Sequence, residues 1–155
     1  MADRRTAVIG IGNILMADEG AGVEALGLLE KRGCPDFVEL VDAGTAFFAI
    51  VPDLKEFEKL IILDAARGGQ APGTVYRFEL DDVRDGEELL SLHDIGVVDA
   101  LRMERLVGKV PEDIVFFGIE PEKVELSMGL SPCIENRLDY FVDRVLEELE
   151  SGPGR

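Results

Sequence analysis

The hydrophobic positions change period along the chain. Residues 6–10 and 60–64 are short apolar runs, the pattern of strands buried on both faces, and residues 37–42 and 114–119 also read as strands. Residues 74–80 alternate apolar and polar, as a half-exposed strand does. Between these runs the period lengthens to that of a helix. Residues 21–31 form one helix, ended by Gly33, and residues 46–51 a short apolar one that Pro52 restricts. Residues 94–106 form another, with Ser91 and Asp94 as candidate caps, and residues 67–73 are a glycine-rich loop. The last helix is the clearest. Ser131 is its cap, Pro132 fits its first turn, and Ile134, Leu138, Phe141, Val142, Val145, Leu146 and Leu149 recur at helical spacing.

Strands alternating with helices imply an α/β fold, a largely parallel sheet with helices on both faces. No repeat or linker divides the sequence, so residues 1–155 are expected to form a single domain. Sites in such sheets form outside the carboxyl ends of the strands. That rule singles out the turn after the first strand, Asp42 after the second and Asp64 after the third.

The first turn carries the sharpest signal. It runs Gly10-Ile11-Gly12-Asn13-Ile14-Leu15-Met16-Ala17-Asp18-Glu19-Gly20-Ala21-Gly22. A dinucleotide fingerprint needs its third glycine where Leu15 stands, and no Lys-Ser or Lys-Thr pair follows to make a P-loop. Two carboxylates where a helix begins suit the helix dipole but repel a phosphate. A carboxylate cluster at a strand end suits a cation. Of the pair, Asp18 is the better N-cap and Glu19 the better functional acid.

Glu19, Asp64 and His93, the only histidine, together supply two oxygen donors and one nitrogen. That set suits a borderline divalent ion such as nickel, zinc or manganese, with positions left open for substrate or water. Asp42 either caps its turn or faces the cleft. Asn13 either holds the first turn through side-chain bonds or contacts a substrate chain. Cys133, at a helix start where a thiolate pKa can fall, is a candidate nucleophile with His93, though a small packed cysteine is the commoner role. No GxSxG elbow is present.

Charge narrows the partners. A formal net charge of −16 excludes nucleic acid and anionic membrane as partners and favours a basic or metal-bearing one. No apolar run is long enough to span a bilayer. Arg4-Arg5 before an apolar stretch imitates a signal peptide, but Gly10, Gly12 and Asn13 interrupt it. Cys34 and Cys133 form no CxxC, which points to a reducing, cytoplasmic setting.

These residues together resemble the hydrogenase maturation proteases, endopeptidases that remove a C-terminal extension from the large subunit of nickel–iron hydrogenases. The resemblance begins with Gly10 to Leu15 and the block Asp18-Glu19-Gly20, continues through Val41-Asp42-Ala43-Gly44-Thr45 and Leu60-Ile61-Ile62-Leu63-Asp64-Ala65, and passes to Ala71-Pro72-Gly73-Thr74 and His93-Asp94-Ile95-Gly96. It ends with Phe117-Gly118-Ile119-Glu120-Pro121 and Gly129-Leu130-Ser131-Pro132, so it covers nearly the whole chain.

The resemblance implies a phosphorylase/hydrolase-like three-layer α/β/α sandwich. Its five-stranded twisted sheet is mostly parallel with one antiparallel strand, for which residues 74–80 are the natural choice. It implies Glu19, Asp64 and His93 as the metal-binding residues, which are also the catalytic candidates; Asn13, Asp18 and Asp42 are supporting candidates read from the turns themselves. It implies nickel carried by the large-subunit precursor, the partner, rather than held by the protease. A monomer is expected. The remaining alternatives are a non-catalytic metal- or nucleotide-binding module and a metal-dependent aminopeptidase or phosphorylase-like hydrolase on the same architecture.

Overall fold

The computed structural model describes residues 4–83 and 96–151. Five strands form one sheet: β1 (Thr6–Ile11), β2 (Val38–Gly44), β3 (Lys59–Ala65), β4 (Val75–Glu79) and β5 (Asp113–Ile119). Their spatial order is β2-β1-β3-β5-β4. All neighbours are parallel except β4, which runs antiparallel to β5. The alternating segment is therefore the antiparallel edge strand. It is short, and Phe78 stacks on Phe116 of β5 with ring centroids 5.0 Å apart.

The helices are α1 (Ala21–Arg32), α2 (Phe47–Ile50), α3 (Val97–Leu106) and α4 (Pro132–Glu150). Strand alternation sorts the core into two layers. Ala7, Ile9, Ile62 and Phe116 face one side, where Phe47 of α2 and Val97 and Leu101 of α3 cover them. Val8, Ile61, Leu63 and Phe117 face the other, under Leu29 of α1 and Phe141 and Val145 of α4. This is the expected α/β/α layering. The chain winds from β1 to β2 on one side and from β2 back to β3 on the other. The carboxyl ends of β1 and β3 therefore flank the point where the winding reverses, the place such sheets use for a site.

Two element boundaries differ from the sequence reading. The short second helix passes into a 3₁₀ segment, Val51–Glu56, because proline is tolerated only near a helix start. Helix α3 begins at Val97 with Gly96 at its N-cap, while Ser91 and Asp94 lie outside the described residues.

One close approach sets α1 against the sheet. A Cβ on Gly22 would lie 2.2 Å from the carbonyl oxygen of Leu63 and 2.5 Å from that of Ile11. Only a bare Cα lets the first turn of α1 rest on the ends of β1 and β3. At the opposite, amino edge an ion network ties strands to α4. Lys59 Nζ lies 2.6 Å from Glu148 Oε2, and Arg77 Nε lies 2.8 Å from Oε1. Asp113 joins it 3.5 Å from Lys59 and 3.0 Å from Arg4. Burial pushes the Glu148 carboxyl up, but hydrogen bonds from Arg77 and Lys59 outweigh it and hold it below the ordinary carboxylate value.

Two outcomes follow. Gly22→Ala should lower unfolding free energy by roughly 3 kcal/mol; unchanged urea denaturation would contradict the close approach. Because folding lowers the Glu148 pKa, its stabilisation is present above the unfolded value and is lost as pH falls through the folded one. Stability measured against pH on the acid side should slope less in Glu148→Gln than in the native protein.

Candidate active site

The turn after β1 is shaped by backbone before any side chain acts. The β1–β2 register slips between Gly10 and Ile11. Gly12 then takes φ +139°, and a Cβ there would lie 2.1 Å from the carbonyl oxygen of Glu19. Glycine lets the turn fold back on itself at this point. The Asn13 side chain accepts a hydrogen bond from the Leu15 N–H at 2.9 Å, so it holds the turn. Ala17 has φ +51°, the single non-glycine residue in the left-handed region among the described residues. It opens a 3₁₀ turn, Ala17–Gly20, which carries Glu19 with only 4% of its surface exposed.

Asp64 is the penultimate residue of β3 and is 1% exposed. Its Oδ1 accepts from the Ala65 N–H at 2.8 Å. Opposite it on β5 stands Gly118, where a Cβ would come within 2.3 Å of Ala66 Cβ. The bare glycine lets the chain leaving Asp64 pass over β5. The 3₁₀ turn packs against β3, so Glu19 and Asp64 lie on neighbouring elements at the carboxyl edge of the sheet. Their donors are oxygens in a shielded setting, which fits a divalent ion. His93 lies outside the described residues, and among the described residues no three His, Cys, Asp or Glu side chains are grouped to hold a metal.

Asp18 does not cap α1. The N-cap of that helix is Gly20, without a side-chain bond. The Asp18 carboxylate is fully buried and reaches across the molecule instead. Oδ2 accepts from the backbone N–H of Glu122 at 2.9 Å, of Lys123 at 2.8 Å and from the Ser131 hydroxyl at 2.7 Å. Oδ1 accepts from the Ser131 N–H at 2.7 Å. Ser131 does hold the N-cap position of α4, but its hydroxyl is spent on Asp18 rather than on its own helix. The two segments also pair directly, with Met16 and Ser127 forming a parallel bridge. Asp18 thus latches the loop between β5 and α4 to the turn that bears Glu19.

Asp42 takes the local role. Its Oδ1 accepts from the Gly44 N–H at 3.0 Å, and the Gly12 N–H donates to the Gly44 carbonyl at 2.9 Å, which joins the two strand-end turns. Cys133 is not an activated thiol. Burial pushes its pKa up, as do the hydrogen bond to Glu122 and the charges of Glu122 and Asp18. Burial and the carboxylates hold the thiol protonated, which leaves the nucleophile candidate without support and favours the commoner role.

The sequence reading passed over Glu120, which follows β5. Its Oε1 accepts from Tyr76 Oη at 2.5 Å, Gly68 N–H at 2.8 Å and Gln70 N–H at 3.3 Å. Burial first, and then this bond, raise the Tyr76 pKa, so the phenol stays a donor. Glu120 therefore fixes the loop that follows Asp64. Extending the strand-end rule to the fifth strand would have found it.

Asp18→Asn should cost roughly 2–4 kcal/mol, because an amide cannot accept on both sides of four donors. Urea unfolding reads the loss, and a native midpoint would show that the latch is dispensable.

Comparison with known proteins establishes the family. A family model described as hydrogenase maturation protease matches residues 23–148. The hydrogenase 2 maturation protease of Escherichia coli is 36% identical over 152 residues, covering 96% of this chain and 93% of its own. The hydrogenase expression/formation protein HupD of Rhodobacter capsulatus is 35% identical over 151 residues, covering 95% and 72%. The solved structure of the E. coli hydrogenase maturating endopeptidase HybD aligns with a TM-score of 0.84 at 34% identity, covering 95% of this chain and 93% of that one. With the family model spanning most of the chain, and both sequence and fold shared with such enzymes, this protein belongs to the hydrogenase maturation protease family and is a peptidase.

Proposed function

We propose that this protein removes the C-terminal extension from the nickel-loaded large-subunit precursor of a nickel–iron hydrogenase. One observation supports the reading: Glu19 and Asp64 are both buried, on a 3₁₀ turn and a strand that pack together at the carboxyl edge of the sheet. Oxygen donors shielded from bulk water at the carboxyl edge of such a sheet suit a divalent cation.

Nickel belongs to the substrate in this scheme. The precursor brings it already held by thiolates, and Glu19, Asp64 and His93 complete its coordination with oxygen and nitrogen donors. Binding then depends on the metal, and cleavage becomes a checkpoint on nickel insertion. Hydrolysis adds water across the scissile amide, leaving a new carboxylate on the trimmed subunit and an amine on the released peptide. A carboxylate of the site or the metal itself takes up the role of activating that water. The enzyme works as a cytoplasmic monomer of one domain, with no nucleic acid or membrane partner.

The test is intact-mass analysis of precursor from the same source, nickel-loaded and nickel-free, incubated with the protein. Loss of a C-terminal peptide from the loaded form alone is expected. Cleavage of both forms equally would remove the metal-recognition role. Glu19→Gln, Asp64→Asn and His93→Ala should each slow processing about 100-fold or more while remaining folded. Cys133→Ala should process at the native rate; a dead Cys133→Ala variant would reinstate the thiol as nucleophile.

A further inference from the structure

The latch that joins the Glu19 turn to the β5–α4 loop also builds a surface. Ser127 sits between two partners: its N–H donates to the Leu15 carbonyl at 3.0 Å, and its carbonyl accepts from the Ala17 N–H at 2.7 Å. The backbones of residues 15–17 and 126–128 therefore run side by side. The apolar side chains flanking this pairing are turned to solvent. Leu126 is 83% exposed, Met128 72%, Leu15 49% and Ile14 39%. Exposed apolar residues scattered singly need no explanation, but a grouped ridge beside a site does.

The ridge is held in place. Leu15 is tied by Asn13, the loop by four hydrogen bonds to Asp18, and Asp18 adjoins Glu19 in sequence. A chain resting on it is thereby referenced to the Glu19 carboxylate through one short 3₁₀ turn. The exposed charges on the loop are Glu122 and Glu125 against Lys123, and Lys123 is already paired with Glu125 at 3.5 Å. With a net charge of −16 behind it, this surface favours a partner that carries positive charge beside its apolar residues. A second copy of this acidic chain is repelled for the same reason.

We infer that the ridge of Ile14, Leu15, Leu126 and Met128 is the docking surface for an apolar segment of the precursor polypeptide that bears a basic residue. This rests on the processing reaction proposed above. Apolar burial supplies affinity there, and the latch passes that position to the site. On this fixed backbone, the adaptable side chains of methionine and leucine tolerate small differences in the docked segment. The ridge accordingly governs binding of the precursor and not the bond-breaking step.

The experiment is steady-state processing of nickel-loaded precursor by the full-length protein and by a Leu126→Asp/Met128→Asp variant. Both side chains are exposed, so the fold should be retained, and circular dichroism with urea unfolding checks this. A Met103→Asp/Leu106→Asp variant serves as control. Those residues lie on α3, are 68% and 87% exposed, and belong to no part of the ridge. The expected result is a rise in KM of about tenfold or more for the ridge variant with kcat retained, and no change for the control. An unchanged KM in a processing-competent ridge variant overturns the assignment alone. An equal rise in both variants also overturns it, since added negative charge would then be acting without regard to place. A native dimer in sedimentation that the ridge substitutions dissociate, with KM unchanged, would reassign the ridge to self-association. No processing by the unmodified protein would sink the functional reading, and the ridge assignment with it.

Discussion

Backbone meeting backbone at Gly22 is the constraint on which the arrangement of this molecule turns. Helix α1 can start directly on the ends of β1 and β3 because no side chain intervenes between Gly22 and the carbonyls of Leu63 and Ile11. Gly12 makes the matching concession one turn earlier, where its missing Cβ leaves room for the Glu19 carbonyl. Together they compress the connection from strand to helix until an acid on the turn and an acid on the neighbouring strand share one edge. Larger residues would push the helix outward, and the turn that carries Glu19 with it.

The edges of the sheet divide their labour. At the amino edge, Lys59, Arg77, Arg4, Asp113 and Glu148 satisfy one another, and little charge is left over. At the carboxyl edge, acids dominate. A strongly negative protein can keep two carboxylates buried there only if the surrounding backbone is rigid enough not to relax and let water in. The N–H groups gathered on Asp18 and Glu120 supply that rigidity, each carboxylate drawing together segments that are distant in sequence.

Much of this was legible from sequence because it depends on local pattern. The periods of the apolar positions located the five strands and α4, and the strand-end rule singled out Glu19 and Asp64 without a relative to compare. What failed was anything whose cause lies across the molecule. Asp18 reads as an N-cap because local rules see a carboxylate before a helix, whereas its actual donors come from Glu122, Lys123 and Ser131. Cys133 stays open as a minor nucleophile candidate because the helix start is visible in sequence and the facing Glu122 is not. Glu120 is visible in its sequence block but has no role there, because its three donors lie on another loop and another strand.

The span of the Asp18 latch has a bearing on how the protein comes into being. Its donors stand 104 to 113 residues further along the chain. During synthesis, β1, α1 and β2 can pair early, since their contacts are near in sequence. The turn carrying Glu19 nevertheless has an unanswered carboxylate until the stretch through Ser131 has left the ribosome and swung back over the sheet. A nascent chain therefore holds the Glu19 turn without its frame, which is completed only by a stretch 104 to 113 residues downstream.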